Sequence, residues 1–348
     1  MLLSRIQVTH FRNFSSSLFE LSPNLTLIIG ENAHGKTNIL EAIYTAIYGT
    51  GFRESREFEL IHWDFDDSII DSQFLDGDLK QRFQVRLLKV GDTRVQKKFF
   101  VNKTTKSSFQ YRKNQMQAVL FAPEQIRIVT GSPSRKRRYF DMVISAVDVV
   151  YRKSLRSYEN ALRRRNKVLE IYQTESDATR ELSFWNALVV EHGSELIKKR
   201  TSYTQFLNDH PNVDGKKFRI EYIPNEITDA RIDDFRSKEL RYRRTFIGPQ
   251  KDDFEIYLHG EKDKNISLYG SRSEQRMVVF WLKLNELQLF EQSTKVKPIL
   301  LLDDIFSELD DRNRELVMHM IKEHQTIATT TESEIKDLAQ MPEVVIEL

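Results

Sequence analysis

The sequence predicts an α/β fold whose main domain is assembled from both ends of the chain, with an antiparallel two-helix arm inserted between them. Three observations predict it. An apolar run, "NLTLII", enters the glycine-bearing stretch "GENAHGKTN" (30–38), which leaves as the helical stretch "ILEAIYTAIYG". A second apolar run, "PILLLDD" (298–304), ends in paired acids, with Asp303 lying 267 residues beyond Lys36. Between them, residues 134–210 hold no proline and one glycine, Gly193, while apolar residues recur at three- and four-residue spacing. The head is expected to comprise 1–132 and 212–348, and the arm 133–211.

The elements follow in order. "RIQVTHF" and "SSSLFEL" alternate as half-buried strands do, and "NLTLIIG" reads as a buried strand. Thr37 to Tyr48 reads as a helix. "FQVRLLKV" and "KKFFVN" read as a meander turned at Gly91–Asp92, and "AVLFAP" as a short strand. In the arm, Phe140, Ile144, Val147, Tyr151, Tyr158, Leu162, Leu169 and Tyr172 form one apolar seam. Beyond the polar break "QTESDAT", a second seam runs through Leu182, Trp185, Val189, His192, Leu196, Tyr203 and Phe206. The spacing predicts two long helices packed antiparallel, the first reaching about 55 Å. His192 reads as a core position, because no metal-spaced partner accompanies it. From about 215, "KFRIEYIP" and "DFEIYLHG" read as strands. They precede a helix in "EQRMVVFWLKLNELQLFE", the strand "PILLLDD", another helix and "QTIATTT".

Composition narrows the function. The 348 residues are 40% hydrophobic and 30% charged, enough for a substantial core. Cysteine is absent, which excludes disulfides, iron–sulfur clusters, thiolate zinc sites and cysteine nucleophiles together. "MLLSRIQVTHF" carries no secretory pattern and no apolar run is long enough to span a bilayer, so a soluble cytoplasmic protein without a membrane partner is expected. The net charge is only +2, but it is unevenly spread: residues 131–170 hold eleven Lys/Arg against four Asp/Glu. The clusters "RKRR" (135–138), "RRR" (163–165) and "RYRR" (241–244) favour a phosphate-rich partner.

Gly30, Gly35, Lys36 and Thr37 satisfy the spacing G-x-x-x-x-G-K-[ST]. Glycines let backbone N–H groups close on phosphate oxygens, the lysine reaches the β- and γ-phosphates, and the threonine hydroxyl binds Mg²⁺. The strand before and the helix after place the positive end of a helix at the same point. A buried strand ending in acids supplies the rest of such a site: Asp303 for Mg²⁺, Asp304 for the attacking water. By their residue types alone, Asn38 and Glu41 read as surface or packing positions of the helix. "SLYGSRSEQRMVV" (267–279) reads as a helix start, with Ser271 and Glu274 forming a capping box.

The order of loop, capped helix, acidic strand and "SELD" (307–310) resembles the ATP-binding-cassette class, an ABC/SMC-type P-loop ATPase head with an inserted helical arm. Within that class the chain resembles the RecF family of DNA-repair ATPases. The resemblance rests on "FRNF" (11–14), "GENAHGKTN", "LFAPEQIRIVTGSPSRKRRYFD" (120–141) and "SYENALRRRN" (157–166). It continues through "IGPQKDDFEI" (247–256), "SRSEQR" (271–276) and "LLLDDIFSELD" (300–310).

The resemblance implies that Gly30, Asn32, Ala33, His34, Gly35, Lys36, Thr37 and Asn38 hold ATP, with Arg12 near the adenine. Thr37 and Asp303 would hold Mg²⁺, and Lys36, Asp303 and Asp304 would carry a slow hydrolysis. Ser271, Arg272, Ser273 and Gln275 would face the nucleotide of a second copy, with Ser307 and Asp310 at that interface. Thr330 or Thr331 would stand where transport cassettes carry a switch histidine. ATP would then join two copies on double-stranded DNA or single-/double-strand junctions, and hydrolysis would release them. RecR and RecO would act with the protein to load RecA at gaps. Arg135, Lys136, Arg137, Arg138, Arg163, Arg164 and Arg165 are the candidate DNA contacts. Two departures stand out: Ser273 replaces the usual signature glycine, and "GPQKDD" replaces "GPHRDD". An SMC-type chromosome-maintenance head would place hundreds of coiled-coil residues between Lys36 and Asp303. A transport cassette would carry "LSGGQ", and a P-loop phosphotransferase would need neither "SRSEQR" nor "SELD".

Overall fold

The computed structural model describes residues 1–31, 33–53, 56–112, 117–171, 175–294, 296–306, 311–330 and 342–348, with backbone alone at 175–180 and 311–313. Along the chain come β1 (Leu2–Phe11), β2 (Phe14–Glu20), β3 (Leu25–Ile29), α1 (Lys36–Tyr48), β4 (Asp67–Asp76), β5 (Leu79–Val90), β6 (Arg94–Val101) and β7 (Thr104–Lys106). Next are α2 (Ser108–Tyr111), β8 (Ala118–Phe121), α3 (Arg127–Thr130), α4 (Pro133–Val147), α5 (Val149–Ile171) and α6 (Glu175–Asp209). Then follow β9 (Asn212–Val213), β10 (Lys216–Ile223), α7 (Asp229–Tyr242), β11 (Asp253–Leu258), β12 (Lys264–Asn265), α8 (Ile266–Tyr269) and α9 (Arg272–Thr294). The chain closes with β13 (Ile299–Asp303), α10 (Asp311–Glu323), β14 (Thr326–Thr330) and β15 (Val344–Glu347).

Two compact units result: Met1–Pro123 with Phe290–Leu348, and Glu124–Leu289. The first contains a sheet of order β2-β1-β4-β5-β6-β7, antiparallel throughout, and a parallel sheet of order β15-β3-β14-β13-β8. Helix α1 packs against β1, β4 and β5 of one sheet and β13 and β14 of the other. Every residue from Ile39 to Tyr48 is therefore buried, Glu41 and Thr45 included. Each fully buried Ile or Leu there contributes about 1.5–3 kcal/mol. The parallel pairing sets Asp303 beside Thr329, and Thr330 beside Ile29. The carboxyl ends of β3, β14 and β13 thus share one edge, where open α/β sheets bind ligands.

The second unit holds α3 to α8, α9 as far as Leu289, and an antiparallel sheet of order β12-β11-β10-β9. The expected arm, 133–211, lies inside this unit, which extends further at both ends. One buried ion pair ties the arm to residues beyond its C-terminal end. Arg200 of α6 binds Asp141 of α4 and Asp252 before β11, at 2.7 and 2.6 Å.

The expected first arm helix is corrected: it is two helices, not one. Asp148 leaves helical geometry (φ −112°, ψ 107°), and its Oδ1 accepts the Tyr151 N–H at 2.9 Å, capping a new helix. The 23 residues of α5 span about 35 Å. Helices α5 and α6 do run antiparallel. Their seam meets at Arg165 with Asn186, Tyr158 beside Gly193, and Tyr151 with Arg200. Successive pairs step by seven residues on each helix, the repeat of a coiled-coil interface. No described helix is long and apolar enough to cross a membrane.

Candidate functional site

The loop between β3 and α1 is shaped by backbone that side chains tolerate poorly. Gly35 has φ +106°, and a Cβ there would stand 2.7 Å from the Asn13 amide, so glycine is required. Ala33 is also left-handed, at φ 72°, a strain that gathers at binding loops. Lys36 is 4% exposed, and its Nζ donates to the Gly30 carbonyl at 2.8 Å and the Glu31 carbonyl at 3.3 Å. The ammonium thus folds back on the loop's own carbonyls.

Below the loop lies a polar network. Asn38 donates to Asn13 at 2.6 Å, and Asn13 donates to the His34 carbonyl at 3.3 Å. Arg53 bonds both Asn38 and Glu41, while Arg12 Nε donates to Glu41 at 2.8 Å. The Glu41 side chain is completely buried. Burial raises its pKa, but hydrogen bonds from Arg53 and Arg12 outweigh that and hold the carboxyl below its ordinary value. Glu41 is therefore more than a packing position, since it orients two cations beneath the loop. Arg53 escapes notice in the sequence because "GFRES" carries no recognisable spacing.

At the sheet edge the two distant motifs meet. The Thr37 hydroxyl donates to Asp303 Oδ1 at 2.8 Å across 266 residues. The Thr329 hydroxyl donates to the same oxygen at 2.9 Å and accepts the Asp304 N–H at 3.0 Å. Asp304 is left-handed, at φ 46°. Of the expected switch residues, Thr330 is buried and Thr331 lies outside the described residues. Thr329, one residue before them, bonds both acids. Asn32, Ser307 and Asp310 also lie outside the described residues.

A hydroxyl and a carboxylate this close are hard oxygen donors suited to Mg²⁺, which takes few protein ligands and completes its shell with water and phosphate. Among the described residues no group of three or more His, Cys, Asp or Glu is placed to hold a metal alone. Thr37 and Asp303 fit that mode of binding.

The start of α9 belongs to the second unit. Ser271 N–H donates to Glu274 Oε2 at 2.7 Å and Glu274 N–H to Ser271 Oγ at 3.3 Å, the expected capping box. Lys264 Nζ bonds Glu274 at 2.8 Å, and this ammonium, with the Ser271 N–H, holds the carboxyl at about 2. Gly270 is forced by close approach, since a Cβ would lie 2.6 Å from the Ile266 carbonyl. Ser271, Arg272 and Ser273 are exposed. Gln275 corrects its expectation: it is buried, and its amide donates inward to the Gly270 carbonyl at 3.1 Å.

The basic clusters divide. Arg165 is 2% exposed and paired with Glu239 at 2.6 Å, and it also bonds Thr245 and Asn186. Lys136 is buried, bonded to the Phe254 carbonyl at 2.7 Å and Asp253 at 3.1 Å. Both are corrected from DNA contacts to internal braces, because their charges are consumed inside the fold. Arg137 is half-buried and donates to the Asp252 carbonyl at 2.6 Å. Arg135 is also half-buried, whereas Arg138, Arg163 and Arg164 are exposed. Lys153, Arg156 and Lys167 are exposed too. With Arg163 and Arg164 they fall within about 100° of arc on α5. Helical phase could have found this stripe; reading only contiguous clusters missed it.

Residues 2–346 match the family model described as "RecF/RecN/SMC N terminal domain". A protein of Lysinibacillus sphaericus named "DNA replication and repair protein RecF" is 32% identical, over 96% of this chain and 94% of its own. One of the same name from Clostridium perfringens is 33% identical, over 95% and 93%. A solved structure titled as the recombination mediator protein RecF with ATP in the RecFOR pathway superposes with TM-score 0.86 at 29% identity, covering 95% of this chain and 92% of that one. An Smc head domain of Pyrococcus furiosus shares the fold, with TM-score 0.51 at 18% identity over 97% and 91% of the chains.

Proposed function

The chain belongs to the RecF family of DNA replication and repair proteins, within the RecF/RecN/SMC class, and on that premise we propose that it is an ATP-dependent DNA-binding recombination mediator. The observation that carries this reading is the 2.8 Å bond from Thr37 to Asp303, which joins phosphate loop and acidic strand in one site. Lys36 and the loop amides would hold the phosphates, and Thr37 and Asp303 would hold Mg²⁺. The ion, when bound, supplies positive charge to the β- and γ-phosphate oxygens. Asp304 would orient or deprotonate the attacking water. A carboxylate one methylene shorter than glutamate leaves that geometry loose, so hydrolysis is slow.

The exposed turn Ser271–Ser273 serves the nucleotide of a second copy. ATP therefore joins two copies, and hydrolysis parts them. Joined copies present two sets of exposed cations, Arg138, Arg163 and Arg164 with Arg135 at the margin, to one duplex. Such side chains read phosphates, not sequence. The protein would bind duplexes and gap junctions this way, and with RecR and RecO would direct RecA to single-stranded gaps.

Fluorescence anisotropy of a labelled duplex tests this reading. Wild type is expected to bind with ATP and Mg²⁺ and not with ADP. Lys36→Arg should not bind, and Asp304→Asn should bind and persist. Equal affinity in every nucleotide state would refute it.

A further inference from the structure

We infer that Thr329 is the positioning residue of the metal-binding edge, fixing both acids through one hydroxyl. The inference rests on the ATPase reading of the site and adds to it Thr329, which belongs to neither the phosphate loop nor the acidic strand.

A threonine hydroxyl has one proton and can also accept. At Thr329 the proton goes to Asp303 Oδ1 at 2.9 Å, and the oxygen accepts the Asp304 N–H at 3.0 Å. The alternative donation to Asp304 Oδ1 is long, at 3.5 Å. Thr329 is fully buried and Asp303 is 4% exposed, so neither bond exchanges readily with water. The Asp303 Oδ1 atom is clamped between two hydroxyls, those of Thr37 and Thr329, which fixes the rotation of its carboxylate. The Asp304 amide is tethered in a left-handed turn, at φ 46°. That turn sets the direction in which the Asp304 side chain leaves the strand. The parallel register makes the arrangement possible, because Thr329 lies directly beside Asp303 on β14. Hydroxyl partners that orient a metal-binding carboxylate are typically worth about 10–100-fold in metal affinity or activity.

The test compares Thr329→Val, which keeps the shape and loses the hydroxyl, with Thr329→Ser, which keeps the hydroxyl. A fluorescent ATP analogue is titrated without Mg²⁺ and then across Mg²⁺ concentrations, and kcat and KM for ATP are measured separately. Thr329→Val is expected to bind the analogue without Mg²⁺ as wild type does. Its Mg²⁺ half-saturation should rise and its kcat fall, each about 10-fold or more, with KM little changed. Thr329→Ser is expected to restore both. If Thr329→Val does not fold, Thr329→Ala removes the same hydroxyl without added bulk and carries the comparison. Wild-type Mg²⁺ dependence in the hydroxyl-free variant overturns the inference while leaving the ATPase reading intact. So does a loss of analogue binding that is the same with and without Mg²⁺. A wild-type protein that shows no Mg²⁺-dependent nucleotide binding overturns both.

Discussion

Glu274 illustrates how much of the chemistry of this protein is set by single side chains. Its carboxylate closes the cap of α9 and takes the Lys264 ammonium, and these bonds lower its pKa from 4.5 to about 2. A carboxyl depressed on folding contributes stability that is fully present above its unfolded value and lost as pH falls through its folded one. Denaturant melts of wild type and Glu274→Gln should therefore differ by a constant amount above about pH 5. The difference should shrink between pH 4.5 and about 2. A gap independent of pH would mean that the glutamate acts through shape alone. Glu41 does similar work beneath the phosphate loop, where one buried carboxylate aligns Arg12 and Arg53. Its role is invisible in the sequence because both arginines are distant from it along the chain.

At the scale of elements, the arm separates charges that look alike in the sequence. "RRR" places Arg163 and Arg164 outward and turns Arg165 inward, where it meets Asn186 across the α5–α6 seam and Glu239 of α7. Removing one member of such a buried pair strands the other charge. Arg165→Leu is thus expected to cost about 3–5 kcal/mol of stability. Arg163→Glu/Arg164→Glu should instead leave the melt unchanged and weaken duplex binding. It should also flatten the slope of log K against log salt by about 0.9 for each phosphate no longer neutralised. The opposite pattern, with stability lost at 163–164 and DNA affinity at 165, would reverse the assignment. Burial also decides which elements are legible in the sequence. Helix α1 and strand β13 announce themselves by apolar runs beside a motif. Strand β4 does not, because its inward positions include Ser68 and Ser72, whose hydroxyls satisfy the Thr9 and Phe83 carbonyls. Helix α7 buries only Ile232 and Glu239, so it has no apolar stripe to read. The break between α4 and α5 hides in an unbroken apolar rhythm, since Asp148 caps a helix without interrupting the spacing.

Across the whole molecule, the phosphate loop and acids are legible as a pair because each is a strand ending in its own chemistry. Their common edge can be anticipated, whereas the Thr329 clamp depends on strand register, which the order of motifs does not encode. The start of α9 is legible as a capped helix, and the inward turn of Gln275 is not, because a polar side chain at a helix start gives no sign of which carbonyl it will meet. In the proposed cycle one chain holds half of each nucleotide site and a second copy completes it. Light scattering of Asp304→Asn with ATP and Mg²⁺, beside the double variant that adds Ser271→Arg, tests it most directly. Twice the mass of one chain is expected for Asp304→Asn, and one chain's mass for the double variant with ATP still bound. A monomeric Asp304→Asn, or a double variant that pairs as readily, would contradict it.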